Sequence, residues 1–97
     1  MQKIVISRYK GLVVYLEKIG LIDEKTRVVS FANPEDVEGK HVIGIIPYWL
    51  AARAAKITEI QVRVPSEKRN KELSPEEIEF YASTPHTYQV REVPFDE

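Results

Sequence analysis

The sequence predicts a small α/β fold: a mainly parallel, Rossmann-like sheet with helices on both faces. Three observations predict it. Strand-like and helix-like segments alternate along the chain. Residues 41–46 are apolar on both faces, as suits a central strand covered on both sides. The first strand passes into the first helix through a turn of two or three residues, the connection that βα units use.

The elements follow in order. Residues 3–7 (KIVIS) are short and rich in β-branched residues, a strand. Ser7 then stands where a helix N-cap would be. Leu12, Val13, Tyr15, Leu16 and Ile19 recur at helical spacing, and Gly20 suits the end of that helix. Residues 27–31 (RVVSF) form a second strand. Residues 32–40 read as a polar loop, opened by Asn33-Pro34 and closed near Gly39. The third strand, 41–46 (HVIGII), runs into a helix with Pro47 at its first position, continuing to about Lys56. Residues 59–64 (EIQVRV) alternate Ile60, Val62 and Val64 with polar residues, a strand with one wet face. Pro65 ends it, and a charged connection runs through 66–72. Ser74-Pro75-Glu76-Glu77 is a helix start, with a serine cap, proline next and glutamate three residues on. Ile78, Phe80 and Tyr81 are expected to anchor that helix. Residues 87–93 (TYQVREV) form a last strand.

At 97 residues the chain fits one domain, and a core this thin makes a dimer plausible on size grounds. There is no cysteine, which excludes disulfides, thiolate metal sites and a cysteine nucleophile. Met1-Gln2-Lys3 runs directly into a strand-like segment, with no apolar signal-peptide core and no apolar stretch of membrane-spanning length. The expectation is a cytoplasmic protein with no membrane partner. The net charge of −1 argues against binding long nucleic acid, which needs a broad basic field. A local basic cluster could still hold a small anion.

Open parallel sheets bind ligands beyond the carboxyl ends of their strands. Three segments should lie there. Ser7-Arg8-Tyr9-Lys10-Gly11 combines free helix N-terminal N–H groups, a hydroxyl and two cations, as a phosphate site requires. Its other reading is a capped helix with two solvated cations. Gly44-Ile45-Ile46-Pro47, followed by Tyr48 and Trp49, places a glycine at the end of a buried strand where a ligand can approach closely. The aromatics would stack on a base, pack internally, or bury against a second subunit. Ser66 to Glu72 clusters Lys68, Arg69 and Lys71, either a ligand rim or a solvated charged loop. His41 and His86 are isolated, so no metal site is expected. Neither a dinucleotide fingerprint nor a P-loop is present, and no cofactor is expected.

Read together, these stretches carry a resemblance. Ile6-Ser7-Arg8-Tyr9-Lys10-Gly11, then Val42-Ile43-Gly44-Ile45-Ile46-Pro47 with Leu50-Ala51-Ala52, then Val64 through Glu77 resemble, in order and spacing, the small CRISPR-associated ring nucleases of type III systems, of the Csx-sixteen type. The resemblance covers nearly the whole chain. It implies a CARF-like Rossmann fold, a homodimer, and metal-independent opening of cyclic tetra-adenylate, which switches off the type III antiviral response. One departure is plain: the family pattern has histidine directly after the Ser-Arg pair, where this chain has Tyr9.

Under that resemblance, Ser7 and the N–H groups after it would hold a phosphate. Arg8 would stabilise the transition-state charge, and Tyr9 would hydrogen-bond the leaving oxygen. Arg69, with Lys68 or Lys71, would cover the ring, and Gly44 to Pro47 would floor the adenine site. Two rivals stay open: a protein that binds the messenger without cutting it, and an interaction domain with no nucleotide site.

Overall fold

The structure, a computed structural model, describes residues 1–96. Its sheet has five strands in the order β2-β1-β3-β4-β5. These are β1 (Lys3–Ile6), β2 (Arg27–Val29), β3 (His41–Gly44), β4 (Lys56–Glu59) and β5 (His86–Tyr88). The first four pair in parallel, and β5 joins β4 antiparallel at the edge. The expected Rossmann-like α/β architecture is the one present. The strand order reverses between β1 and β3, where such sheets open a crevice.

The helices are α1 (Lys10–Lys18), α2 (Pro34–Val37), α3 (Tyr48–Ala51) and α4 (Pro75–Tyr81), with a 3₁₀ turn at Ser66–Lys68. Strand alternation sends neighbouring residues to opposite faces. Ile4 and Val42 pack with Val37, Leu50, Ala51 and Ile57 on the α2–α3 side. Val5 and Ile43 pack with Leu16, Ile22 and Ile60 on the α1 side. Helices therefore cover both faces. α1 ends in a Schellman motif: the Gly20 N–H donates to the Glu17 carbonyl and the Leu21 N–H to the Leu16 carbonyl, each at 3.0 Å. Gly20 takes the positive φ, +79°, that this motif needs.

Several boundaries differ from the sequence reading. The segment 32–40 is not all loop. Asn33 caps α2, its N–H donating to Asp36 Oδ2 at 3.1 Å, and Arg27 Nη1 pairs with Asp36 Oδ1 at 3.2 Å. The helix is one turn long, too short to show periodicity. α3 is also shorter than expected, ending at Ala51, and Pro47 is its N-cap rather than its first helical residue. The Ala55 N–H instead donates to the Lys40 carbonyl at 2.9 Å, which starts β4 three residues early at Lys56.

Residues 60–64, expected as sheet, run on as a connection. They meet the end of α4 through the Val62–Ala82 bridge and the Arg63 N–H to Tyr81 carbonyl bond of 3.1 Å. The last strand is His86–Tyr88, not 87–93. α4 has its expected capping box, with the Ser74 Oγ accepting from the Glu77 N–H at 3.2 Å. Ile78 anchors this helix and Tyr81 is half-buried, but Phe80 stands 79% exposed. Among the described residues no helix is long and apolar enough to cross a membrane.

Candidate functional site

The carboxyl ends of β1, β2 and β3 open onto a hollow of about 220 Å³. Ser7, Arg8 and Tyr9 line it from the β1–α1 turn, Ser30 from the end of β2, and Gly44 and Ile45 from the end of β3. A second hollow, also about 220 Å³, lies beside it. Tyr9, Leu12, Ile45 and Ile60 belong to both and form the shared wall. The far side of the second is Lys68, Arg69 and Lys71, with Val62 and Val64 beneath. A third and more open depression of about 570 Å³ adds Arg63 next to Tyr9 and Arg69.

The β1–α1 turn is built differently from the expectation. Ser7 is not the helix N-cap; Tyr9 occupies that position. The Ser7 Oγ instead accepts the Tyr9 N–H at 3.0 Å, and the Ser7 N–H donates to the Val29 carbonyl at 3.0 Å. Arg8 is thereby held at the rim, with its guanidinium carbon 5.9 Å from the Phe31 ring centroid. Gly44 has φ +148°, and a Cβ there would lie 2.5 Å from the Ile6 carbonyl oxygen. Its glycine is dictated by the backbone of β1 as well as by any approach to the hollow.

The charged loop is moored at one point. Lys68 Nζ donates to Glu77 Oε2 at 2.7 Å, and lies 6.0 Å from the Tyr81 ring centroid. That bond, with the Ser74 N–H, holds the Glu77 carboxyl below the usual carboxylate range, and it raises Lys68 in turn. The α4 capping box therefore also fixes the loop that carries Arg69. None of the four ion pairs among the described residues uses Arg8, Arg63, Arg69 or Lys71.

Not every residue named from sequence reaches this rim. Lys10 faces a separate groove with Glu72, Pro75 and Glu77. Gly11 is buried, and a Cβ there would meet the Leu73 carbonyl oxygen at 2.5 Å, so its role is helix packing. Ile46 turns to the opposite face of the sheet and packs against the α2–α3 core. Pro47 caps α3 and lines none of the three hollows. Only Gly44 and Ile45 of the proposed adenine floor face the rim.

Sequence reasoning missed Ser30, Phe31 and Arg63. The parallel register supplies the signal for the first two, since they continue β2 past the pairing of Ile6 with Val29. Ile60, Val62 and Val64 did alternate: Ile60 packs into the α1-side core, and all three line the second hollow.

The histidines sit elsewhere. His41 is buried at the start of β3, its Nε2 2.6 Å from Thr58 Oγ1, which lies 2.8 Å from Thr87 Oγ1. Burial, then Lys56 and Lys3, push its pKa down. His86 pairs with Glu59 at the carboxyl end of β4 but lines none of the three hollows. Among the described residues no three His, Asp or Glu side chains converge as a metal site would need.

The three hollows are lined by five cations (Arg8, Arg63, Lys68, Arg69 and Lys71) and by no carboxylate. The whole chain has 14 basic and 15 acidic residues, so this separation is local. Such a rim is suited to an anion with several charges.

A protein-family model described as "Putative CRISPR-associated protein (Cas_VVA1548)" matches residues 4–91. The chain belongs to that family. The match spans the five strands apart from Lys3, and every residue of the three hollows named above. No curated protein and no solved structure matches the chain. The CRISPR association expected from the resemblance is thus established at the level of the Cas_VVA1548 family.

Proposed function

We propose that this Cas_VVA1548 protein binds cyclic tetra-adenylate at the cationic rim and opens the ring without a metal, ending type III CRISPR signalling. The convergence of five cations on adjoining hollows, with Lys68 alone of them in an ion pair among the described residues, carries this reading. CRISPR association narrows the relevant anions to those of that defence system.

Ring opening asks for alignment and charge stabilisation. The ribose 2′-OH attacks the adjacent phosphorus, forming a 2′-O–P bond. The P–O5′ bond breaks, leaving a 2′,3′-cyclic phosphate. The 2′-OH proton leaves to solvent, and the departing 5′-oxygen takes a proton. Cleavage at two positions yields two linear di-adenylates.

Ser7 would orient one phosphate. Arg8 can grip two of its oxygens, because a guanidinium presents paired donors in one plane. Charge developing on those oxygens strengthens that contact in the transition state. Arg69, Lys68 and Lys71 would hold the neighbouring phosphate across the shared wall. Tyr9, on that wall, would protonate the leaving oxygen.

A hollow of about 220 Å³ is below the roughly 300–1,000 Å³ that drug-sized ligands occupy. A ring of four nucleotides would therefore lie across several of the adjoining hollows, the largest about 570 Å³. A two-fold homodimer would present the same rim twice. Tyr48 and Trp49, exposed by 83% and 62%, begin α3 after the carboxyl end of β3 and suit such a contact.

A second reading is sequestration without cleavage. It is favoured by the absence of both histidines from the hollows, which leaves proton transfer to Tyr9 or water. Incubation with cyclic tetra-adenylate, followed by mass spectrometry, separates the two. Linear di-adenylate with a terminal cyclic phosphate is expected, at a rate unaffected by EDTA. Intact ligand held tightly would leave only the sequestering role, and a protein that never binds the ring would defeat both.

A further inference from the structure

Phe31 lies two residues beyond β2, and the register explains where its ring goes. Ile4, Val5 and Ile6 pair with Arg27, Val28 and Val29. The Ser7 N–H bond to the Val29 carbonyl carries this pairing past the strand ends. The same offset sets Ser30 opposite Ser7 and Phe31 opposite Arg8. The Arg8 guanidinium carbon then lies 5.9 Å from the ring centroid, inside the range of about 6 Å for a cation–π contact. Phe31 is 75% exposed and joins neither core cluster, so its ring has no part in holding the sheet together.

The chemistry of this pair differs from that of an ion pair. A carboxylate beside Arg8 would occupy its N–H donors and cancel its charge. An aromatic ring that stacks on a guanidinium leaves its in-plane donors free. It restricts a long side chain without neutralising it, which is what a ready-made phosphate site requires.

We propose that Phe31 is a positioning residue, whose ring holds the Arg8 guanidinium at the mouth of the first hollow so that it meets a phosphate already oriented. This rests on the reading of the rim as a phosphate site.

The test combines a ligand-free signature with a binding cycle. In the NMR spectrum of the free protein, the Arg8 Nε–Hε proton should be shifted upfield by the Phe31 ring. That shift should vanish in Phe31→Ala and persist in Phe31→Trp. Phe31→Ala should weaken binding of cyclic tetra-adenylate, and of inorganic pyrophosphate as a simple probe, by about two- to fivefold. Phe31→Trp should restore it. In an Arg8→Ala background, Phe31→Ala should cause no further loss.

An equal loss with and without Arg8 would overturn the proposal, since the ring would then act on the ligand directly. So would unchanged affinity in Phe31→Ala, or no ring shift in the parent protein. If the parent binds pyrophosphate but not the adenylate ring, the proposed function falls while the pyrophosphate cycle still decides the role of Phe31. Binding of neither probe would overturn both.

Discussion

Gly44 joins β3 to β1 so tightly that a methyl group would press on the Ile6 carbonyl oxygen, and its φ is one that other residues avoid. Gly44→Ala should therefore destabilise the fold by about 2–4 kcal/mol, seen as a lower urea midpoint. An unchanged midpoint would show that β3 can shift at small cost. Arg8 is expected to behave oppositely, because it is exposed and lies outside both core clusters. Arg8→Ala should leave the midpoint alone and lower turnover of cyclic tetra-adenylate well over tenfold, with a smaller loss of binding. Equal turnover in mutant and parent would remove Arg8 from the mechanism. The residue identities at the rim were legible where a strand end predicts them, as for Ser7, Arg8 and Gly44. Lys10 and Gly11 were misplaced because each helical residue turns by about 100° around the axis, carrying them away from the sheet. Ile46 was misplaced by strand-like alternation, which puts it opposite Ile45.

Among the elements, α4 was readable because its start is encoded by four adjacent residues. Ser74 and Glu77 satisfy each other's backbone donors, and Glu77 also moors Lys68. Ser74→Ala should lower stability by about 1 kcal/mol, and Tm by roughly 4–8 °C in a chain this size. A loss of ligand affinity should accompany it, because the Arg69 loop is tied to the same cap. Intact affinity in that variant would mean the loop is held independently. α2 uses similar grammar at Asn33-Pro34-Glu35-Asp36, but one turn offers no apolar period to confirm it. β4 escaped for a different reason. The helix was expected to run to about Lys56 and the strand to begin at Glu59, but the Ala55 bond to Lys40 and the pairing of Lys56, Ile57 and Thr58 with β3 start the strand earlier.

The buried contact of His41 with Thr58, continued to Thr87, links β3, β4 and the edge strand β5. The His41 pKa in the folded state lies below its ordinary 6.5. Above pH 6.5 the imidazole is neutral in folded and unfolded chains alike, and stability is undiminished. As pH falls from there through the lowered folded value, the unfolded chain takes up a proton that the folded chain resists, so stability declines. The urea midpoint should drop between pH 7 and 5.5, and less so in His41→Gln. Parallel pH profiles for the two proteins would show that His41 does not carry this dependence.

For the molecule as a whole, the separation of charge matters more than its total. A net charge of −1 hides hollows lined by five cations, of which Lys68 is paired with Glu77. Binding of cyclic tetra-adenylate should therefore weaken steeply with salt, and Arg69→Ala should flatten the dependence of log K on log salt by about one unit. Isothermal titration over a salt series measures this. A slope that Arg69→Ala leaves untouched would place Arg69 outside the phosphate contacts.

Alternation and periodicity, by themselves, determined the α/β class, the mainly parallel sheet and the end of it at which the hollows lie. These follow from local chemistry, since β-branched runs, helix caps and apolar spacing act over a few residues. Tertiary structure alone decided which cations share that rim. Arg8 lies far along the chain from Arg63 and Arg69, and strand order and connection paths bring all three to hollows that share Tyr9. Lys10, also a cation, faces a separate groove because it is the first residue of α1 and turns away from Tyr9.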